Sequence, residues 1–154
     1  MTLAGLVLGA TPASATITNT FSYYHLMNLG THACIDVGPP VEQWRCLNTF
    51  NEEWTDDNEG GGWSEIVSHA SRLCLTQEYS NANGTPVVQE PCTGAPSQLW
   101  YFAERQNSDY GFDYHLVNML FYQCLDLNNG DPSNGVPMQV WDCTGINNQR
   151  WVLL

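Results

Sequence analysis

Polar and apolar residues alternate in short runs along this chain. His25-Leu26-Met27-Asn28-Leu29 and Val136-Pro137-Met138-Gln139-Val140-Trp141 are two such runs, and a two-residue period suits strands with one buried face. Turn formers separate the runs: Gly38-Pro39-Pro40, Asn81-Ala82-Asn83-Gly84 and Asn128-Asn129-Gly130-Asp131-Pro132. Two further stretches, Asp56 to Gly62 and Arg105 to Asp113, are polar, contain glycine and read as linkers. No long segment carries the 3.6-residue period of an amphipathic helix. The predicted class is all-β.

The runs recur in three copies. Cys34-Ile35-Asp36, Cys74-Leu75-Thr76 and Cys124-Leu125-Asp126 anchor them. Nine residues before these cysteines stand His25, Glu65 and His115, each followed by an apolar residue, and six before stand Asn28, Ser68 and Asn118. A second cysteine precedes a tryptophan by eight residues each time: Cys46 to Trp54, Cys92 to Trp100, Cys143 to Trp151. Two residues before that tryptophan stands Glu52, Gln98 or Gln149. Three agreeing spacings define repeats of about 24–56, 64–102 and 114–154, each with about four short strands. One copy alone cannot bury its apolar face, whereas three closing on a pseudo-threefold axis can. Because every copy keeps one, Trp54, Trp100 and Trp151 read as core. His25 and His115 read as ordinary strand residues, since the second repeat has Glu65 in their place.

The cysteines change the picture next. Six in matched positions suggest one bridge inside each repeat: Cys34–Cys46, Cys74–Cys92 and Cys124–Cys143. No C-x-x-C occurs and four scattered histidines form no H-E-x-x-H, so neither a metal nor another cofactor is expected. Disulfides imply an oxidising compartment and a secreted protein. The N-terminus agrees in part. Leu3 to Ala10 is a short apolar run and Ala13-Ser14-Ala15 resembles a cleavage signature, which makes 1–15 an expected signal peptide and 16–154 the mature domain. No Lys or Arg precedes the run, so a disordered or strand-forming N-terminus is the alternative. The run is too short to span a bilayer.

Charge narrows the partners. Lys+Arg is 4 against Asp+Glu 16, a net charge of −12 over 154 residues. Such a chain repels nucleic-acid backbones and anionic lipid heads, so neither nucleic acid nor membrane insertion is expected. Only 13% of residues are charged while Trp and Tyr number 6 and 7, a surface suited to polar, uncharged ligands. No G-x-S-x-G occurs, the cysteines are committed to bridges, and Asp36 and Asp126 lie in different repeats, so no enzyme is expected.

The repeat resembles the ricin-type β-trefoil lectin, also called the family 13 carbohydrate-binding module. The resemblance rests on Cys124-Leu125-Asp126-Leu127, then Gln139-x-Trp141-x-Cys143, then Asn148-Gln149-x-Trp151. It implies a six-stranded barrel capped by three hairpins, with up to three shallow sugar pockets for galactose-type or related sugars. It further implies that an Asp bonds sugar hydroxyls, an aromatic stacks on the ring, an Asn completes the polar set and a Gln supports the Asp. In the third repeat these are Asp126, Trp141, Asn148, Gln139 and Gln149. In the first they are Asp36, Trp44 and Asn51, with Glu42 and Glu52 replacing the two Gln. The second has Thr76, Val88, Glu90, Ser97 and Gln98, and is expected not to bind. The chemistry is coherent: a carboxylate accepts hydroxyl hydrogens in charge-assisted bonds, an indole covers the C–H face of a sugar, and an Asn both donates and accepts. The expected partner is a glycan or polysaccharide. Two alternatives stand beside this reading: a cell-binding subunit with a separate catalytic or toxin chain, and an interaction module or inhibitor with dead sugar sites.

Overall fold

The computed structural model describes residues 22–107 and 109–154; the expected signal peptide, 1–15, lies outside them. Among the described residues twelve strands form, four per repeat. The first repeat holds β1 (Tyr24–Asn28), β2 (Ala33–Asp36), β3 (Glu42–Arg45) and β4 (Glu53–Gly60). The second holds β5 (Trp63–Ser68), β6 (Cys74–Gln77), β7 (Thr85–Glu90) and β8 (Leu99–Asn107). The third holds β9 (Gly111–Asn118), β10 (Cys124–Leu127), β11 (Val136–Trp141) and β12 (Trp151–Leu153).

The first and last strands of each repeat pair in a ring: β1–β4, β4–β5, β5–β8, β8–β9, β9–β12 and β12–β1, all antiparallel. The last pairing closes a six-stranded barrel and removes its edges. The middle strands form three hairpins, β2–β3, β6–β7 and β10–β11, and β11 also pairs with β3 and β7. The result is a β-trefoil of three homologous repeats.

The two stretches read as linkers are barrel hairpins instead. Asp56 to Gly60 continue β4 against β5, and Arg105 to Asn107 continue β8 against β9. They are polar because they project past the core into solvent, so their composition resembles that of a linker although their backbones are paired.

The core is built in threes. Leu26, Ile66 and Leu116, then Ile35, Leu75 and Leu125, then Trp54, Trp100 and Trp151 are all fully buried. Each indole N–H donates to one carbonyl: Trp54 to Ile35 at 3.2 Å, Trp100 to Leu75 at 2.9 Å, Trp151 to Leu125 at 3.1 Å. A buried indole N–H needs such a partner, and the residue after each first cysteine supplies it. The disulfides join Cys34 to Cys46, Cys74 to Cys92 and Cys124 to Cys143.

The matched Asn28, Ser68 and Asn118 also find a reason. Each ends its strand and opens a turn closed by a backbone bond four residues on, from His32, Arg72 or Tyr122. Those three residues take φ values of 58°, 62° and 57°, a left-handed conformation that costs a non-glycine residue roughly 1–2 kcal/mol. Asn28 Oδ1 accepts from the Gly30 amide at 2.9 Å and Asn118 Oδ1 from the Leu120 amide at 2.9 Å, which holds the turn against that cost.

Candidate functional site

The third repeat gathers all five of its expected residues around one depression of about 490 Å³. Register places the first pair: Asp126 on β10 stands directly opposite Gln139 on β11. Gln139 Nε2 donates to Asp126 Oδ1 at 2.9 Å. The 3-10 turn Asn147–Gln149 brings the other two amides. Asn148 Nδ2 and Gln149 Nε2 donate to Asp126 Oδ2 at 2.8 and 3.0 Å. Asp126 is only 2% exposed. Burial raises its pKa above the ordinary carboxylate range, while the Gln139 and Gln149 bonds pull it back down. A carboxylate offers about four lone-pair sites; three are occupied, so one acceptor site on Oδ1 remains. Asn148 Oδ1 is a buried acceptor without a partner among the described residues.

Trp141 ends β11 and is 39% exposed, unlike the three core tryptophans. Its indole forms the apolar wall of the depression. The neighbouring repeat braces it: Asn83 accepts from the Asp142 amide at 2.8 Å and donates to the Asp142 carboxylate at 3.0 Å. Gln149 serves two purposes. Its Oε1 accepts from the Thr144 amide at 2.8 Å, and the same bond recurs from Thr93 to Gln98 and from Leu47 to Glu52, each at 2.7 Å. That half is scaffold in every repeat; only the amide nitrogen serves Asp126.

In the first repeat, Asp36, Glu42, Trp44 and Asn51 line a depression of about 460 Å³. Asp36 faces Glu42 at the register where Asp126 faces Gln139. Glu52 is fully buried. Burial, then Glu52, then Glu42 push the Asp36 pKa up. The site is therefore assembled, but carboxyls replace two of the three amides around its Asp.

The second repeat satisfies itself. Gln98 Nε2 donates to Thr76 Oγ1 at 3.1 Å and Thr76 donates to the Cys74 carbonyl at 2.9 Å. Val88 faces Thr76, and Glu90 stands where the others have Trp44 and Trp141. Ser97 gives its carbonyl to Asn118 Nδ2 at 2.9 Å. Among the described residues, no carboxylate and exposed ring meet there. The grouping with metal-like spacing among those residues is Glu65 with Cys74 and Cys92. Those cysteines are bonded to each other, and Glu65 accepts from the Gly94 amide at 2.6 Å.

Sequence reasoning missed part of the third wall. Asn28, Gly30 and Asn147 also line the depression, and Asn28 Nδ2 donates to the Asn148 carbonyl at 3.1 Å across 120 positions. No local pattern announces a contact that long. A second signal was present: Gly and Pro stand eight and six residues before each second cysteine, as Gly38/Pro40, Gly84/Pro86 and Gly135/Pro137. That spacing aligns the hairpins although the bridged cysteines are 12 residues apart in the first repeat against 18 and 19 in the others.

Residues 22–151 match the family described as the ricin-type β-trefoil lectin domain. No curated protein matches the chain. Among solved structures the chain is similar to ThreeFoil, a designed 3-fold symmetric protein, at 26% identity and TM-score 0.78, over 86% of this chain and 97% of that one. It is similar to an exo-β-1,3-galactanase from Clostridium thermocellum at 24% identity and TM-score 0.80, over 90% of this chain and 31% of that one. It is also similar to a ricin B-like lectin from Macrolepiota procera, solved in complex with lactose, at 20% identity and TM-score 0.72, over 90% and 98%.

Proposed function

The chain belongs to the ricin-type β-trefoil lectin domain family, and from that premise we propose that it is a secreted, non-catalytic carbohydrate-binding domain whose main site is the third-repeat pocket. Asp126 and Asn148 contact sugar hydroxyls, Trp141 covers the C–H face of the ring, and Gln139 and Gln149 hold the Asp126 carboxylate in place. The observation that carries this reading is the Asp126 carboxylate held by three amides beside an exposed indole. A sugar presents polar edges and an apolar face, and this pocket offers the complement of both.

The first-repeat site is weaker, because Glu42 and Glu52 stand where the third repeat has amides. The second repeat does not bind. Galactose-type sugars are the first class to test. A glycan array read by wild-type protein tests the function, and array-wide silence would leave a trefoil interaction module as the reading. Secretion is part of the same proposal: three disulfides suit an oxidising compartment. N-terminal sequencing of exported protein should begin at Thr16, and an exported chain retaining Met1 would contradict cleavage.

A further inference from the structure

The three repeats differ at two matched positions outside their pockets. Eleven residues before each first cysteine stand Tyr23, Trp63 and Asp113, and just before each core tryptophan stand Glu53, Leu99 and Arg150. In the first repeat this place is filled by rings: Tyr23 stacks on His69 at 3.9 Å and Phe50 meets His69 edge-on at 4.9 Å. In the second, Trp63 meets Tyr122 at 6.3 Å. In the third, no ring stands at either position, and an Asp–Arg pair takes the place that the first repeat fills with Tyr23 stacked on the Glu53-bonded His69. Arg150 Nε donates to Asp113 Oδ1 at 2.8 Å, Arg150 Nη2 bonds Asp113 Oδ2, and Arg150 Nη1 reaches Asn147 Oδ1 at 3.3 Å.

That exchange leaves space. A hollow of about 390 Å³ opens there, walled by His32, Gln106, Asp109, Tyr110, Asn147 and Arg150. Its outer wall is the end of the β8–β9 hairpin, whose strands run 9 and 8 residues against 8 and 6 in β4–β5. Asn147 lines both this hollow and the third-repeat pocket, so the two lie side by side across a shared wall.

We propose that the hollow is a second subsite of the third-repeat pocket, and that the two together hold an uncharged oligosaccharide of at least two units. The proposal rests on the sugar-binding reading of that pocket and deepens it. A second sugar ring needs donors and acceptors spread over a polar wall. Gln106 and Asn147 supply both through their amides. Tyr110 adds a ring and a hydroxyl. The Arg150 guanidinium is fixed by a fully buried carboxylate, Asp113, so it is preorganised and its charge is answered. Asp109 places a further carboxylate in the wall, and the chain carries a net −12. Both disfavour an acidic sugar. In the first and second repeats aromatic packing occupies the equivalent place.

Calorimetry with galactose, lactose and 3′-sialyllactose tests this on the wild type and on Gln106→Ala and Tyr110→Ala. The wild type should bind lactose about tenfold tighter than galactose, as two added hydrogen bonds imply, and 3′-sialyllactose no tighter than lactose. Both variants should bring lactose down to the galactose level and leave galactose unchanged, with unmoved thermal unfolding. Equal affinity of the wild type for galactose and lactose, variants that weaken both sugars alike, or preference for the sialylated sugar would overturn the proposal. Silence towards all three sugars would overturn the galactose-type reading of the pocket, and the subsite with it.

Discussion

Asp36 stands directly across β2–β3 from Glu42, at the register that pairs Asp126 with Gln139 in the third repeat. Like charges in opposite strand positions repel, and Glu52 adds a third carboxyl from below. Replacing both Glu by Gln should repair the site. A glutamine at position 52 would keep the bond from the Leu47 amide, as Gln98 and Gln149 keep theirs, and would turn a donor towards Asp36. The expected outcome for Glu42→Gln with Glu52→Gln is a first-repeat site whose sugar affinity rises towards that of the third at neutral pH. The sign of the stability change follows from Asp36. Its pKa is raised, so the fold favours the protonated form, and its contribution to stability is lost as pH rises. The double variant should therefore unfold at higher temperature than wild type at pH 7, with the gap closing in acid. An unchanged first-site affinity, with no stability gap at pH 7, would show that the first-repeat carboxyls are not what weakens it.

Tryptophans of two kinds should respond in opposite ways. Trp151 is fully buried and bonded to the Leu125 carbonyl, so Trp151→Ala should cost roughly 3–5 kcal/mol of stability. Trp141 is 39% exposed, and the second repeat keeps the fold with Glu90 in its place. Trp141→Ala should leave thermal unfolding within a few degrees while weakening sugar binding about tenfold. Strong destabilisation by Trp141→Ala would recast that ring as core.

Much of this is legible without coordinates. The Cys, Asn/Ser and Trp spacings each correspond to one bond made three times: the disulfide, the backbone bond that closes the strand-end turn and the indole-to-carbonyl bond. A repeated local bond leaves a repeated local signature. The hairpins Glu53–Ser68 and Leu99–Asn118 look like linkers in sequence because pairing beyond the core demands no apolar residues. Asn28, Asn83 and Asn147 escape sequence reasoning for a different reason. They act between repeats, where the partner is set by closure of the barrel rather than by spacing along the chain. The Asp113–Arg150 pair is also invisible in sequence, since it matters only against the rings that fill the same place in the other two repeats.

Acid should switch off the third-repeat site earlier than an ordinary carboxylate would. Protonation would turn one Asp126 acceptor into a donor and remove the charge that strengthens its bonds, and burial lifts its pKa above 3.8 despite the bonds from Gln139 and Gln149. Sugar affinity should hold near neutrality and fall as pH drops through that raised value. For stability the sign is reversed: a raised pKa favours the protonated fold, so Asp126 charging is unfavourable to stability as pH rises. Affinity measured across acid pH on wild type and on Asp126→Asn separates the two, because the variant should show a flat, low affinity. A wild-type profile equally flat would remove Asp126 from contact with the ligand.

The central claim, that Asp126 in the third repeat accepts the sugar, is met most directly by one substitution taken from the protein itself. The second repeat places Thr76 at the equivalent position and satisfies it from Gln98, so Asp126→Thr keeps a partner for Gln149, while Gln139 loses its acceptor and Asn148 keeps only the 3.4 Å bond to the Leu127 carbonyl, at a cost of roughly 1–3 kcal/mol. Calorimetry with lactose on this variant, beside Asp36→Ala and Thr76→Ala, is the decisive measurement. The account predicts at least about a tenfold loss for Asp126→Thr, a smaller loss for Asp36→Ala, none for Thr76→Ala, and folded protein throughout. Full affinity in Asp126→Thr with binding abolished in Asp36→Ala would contradict it and move the site to the first repeat.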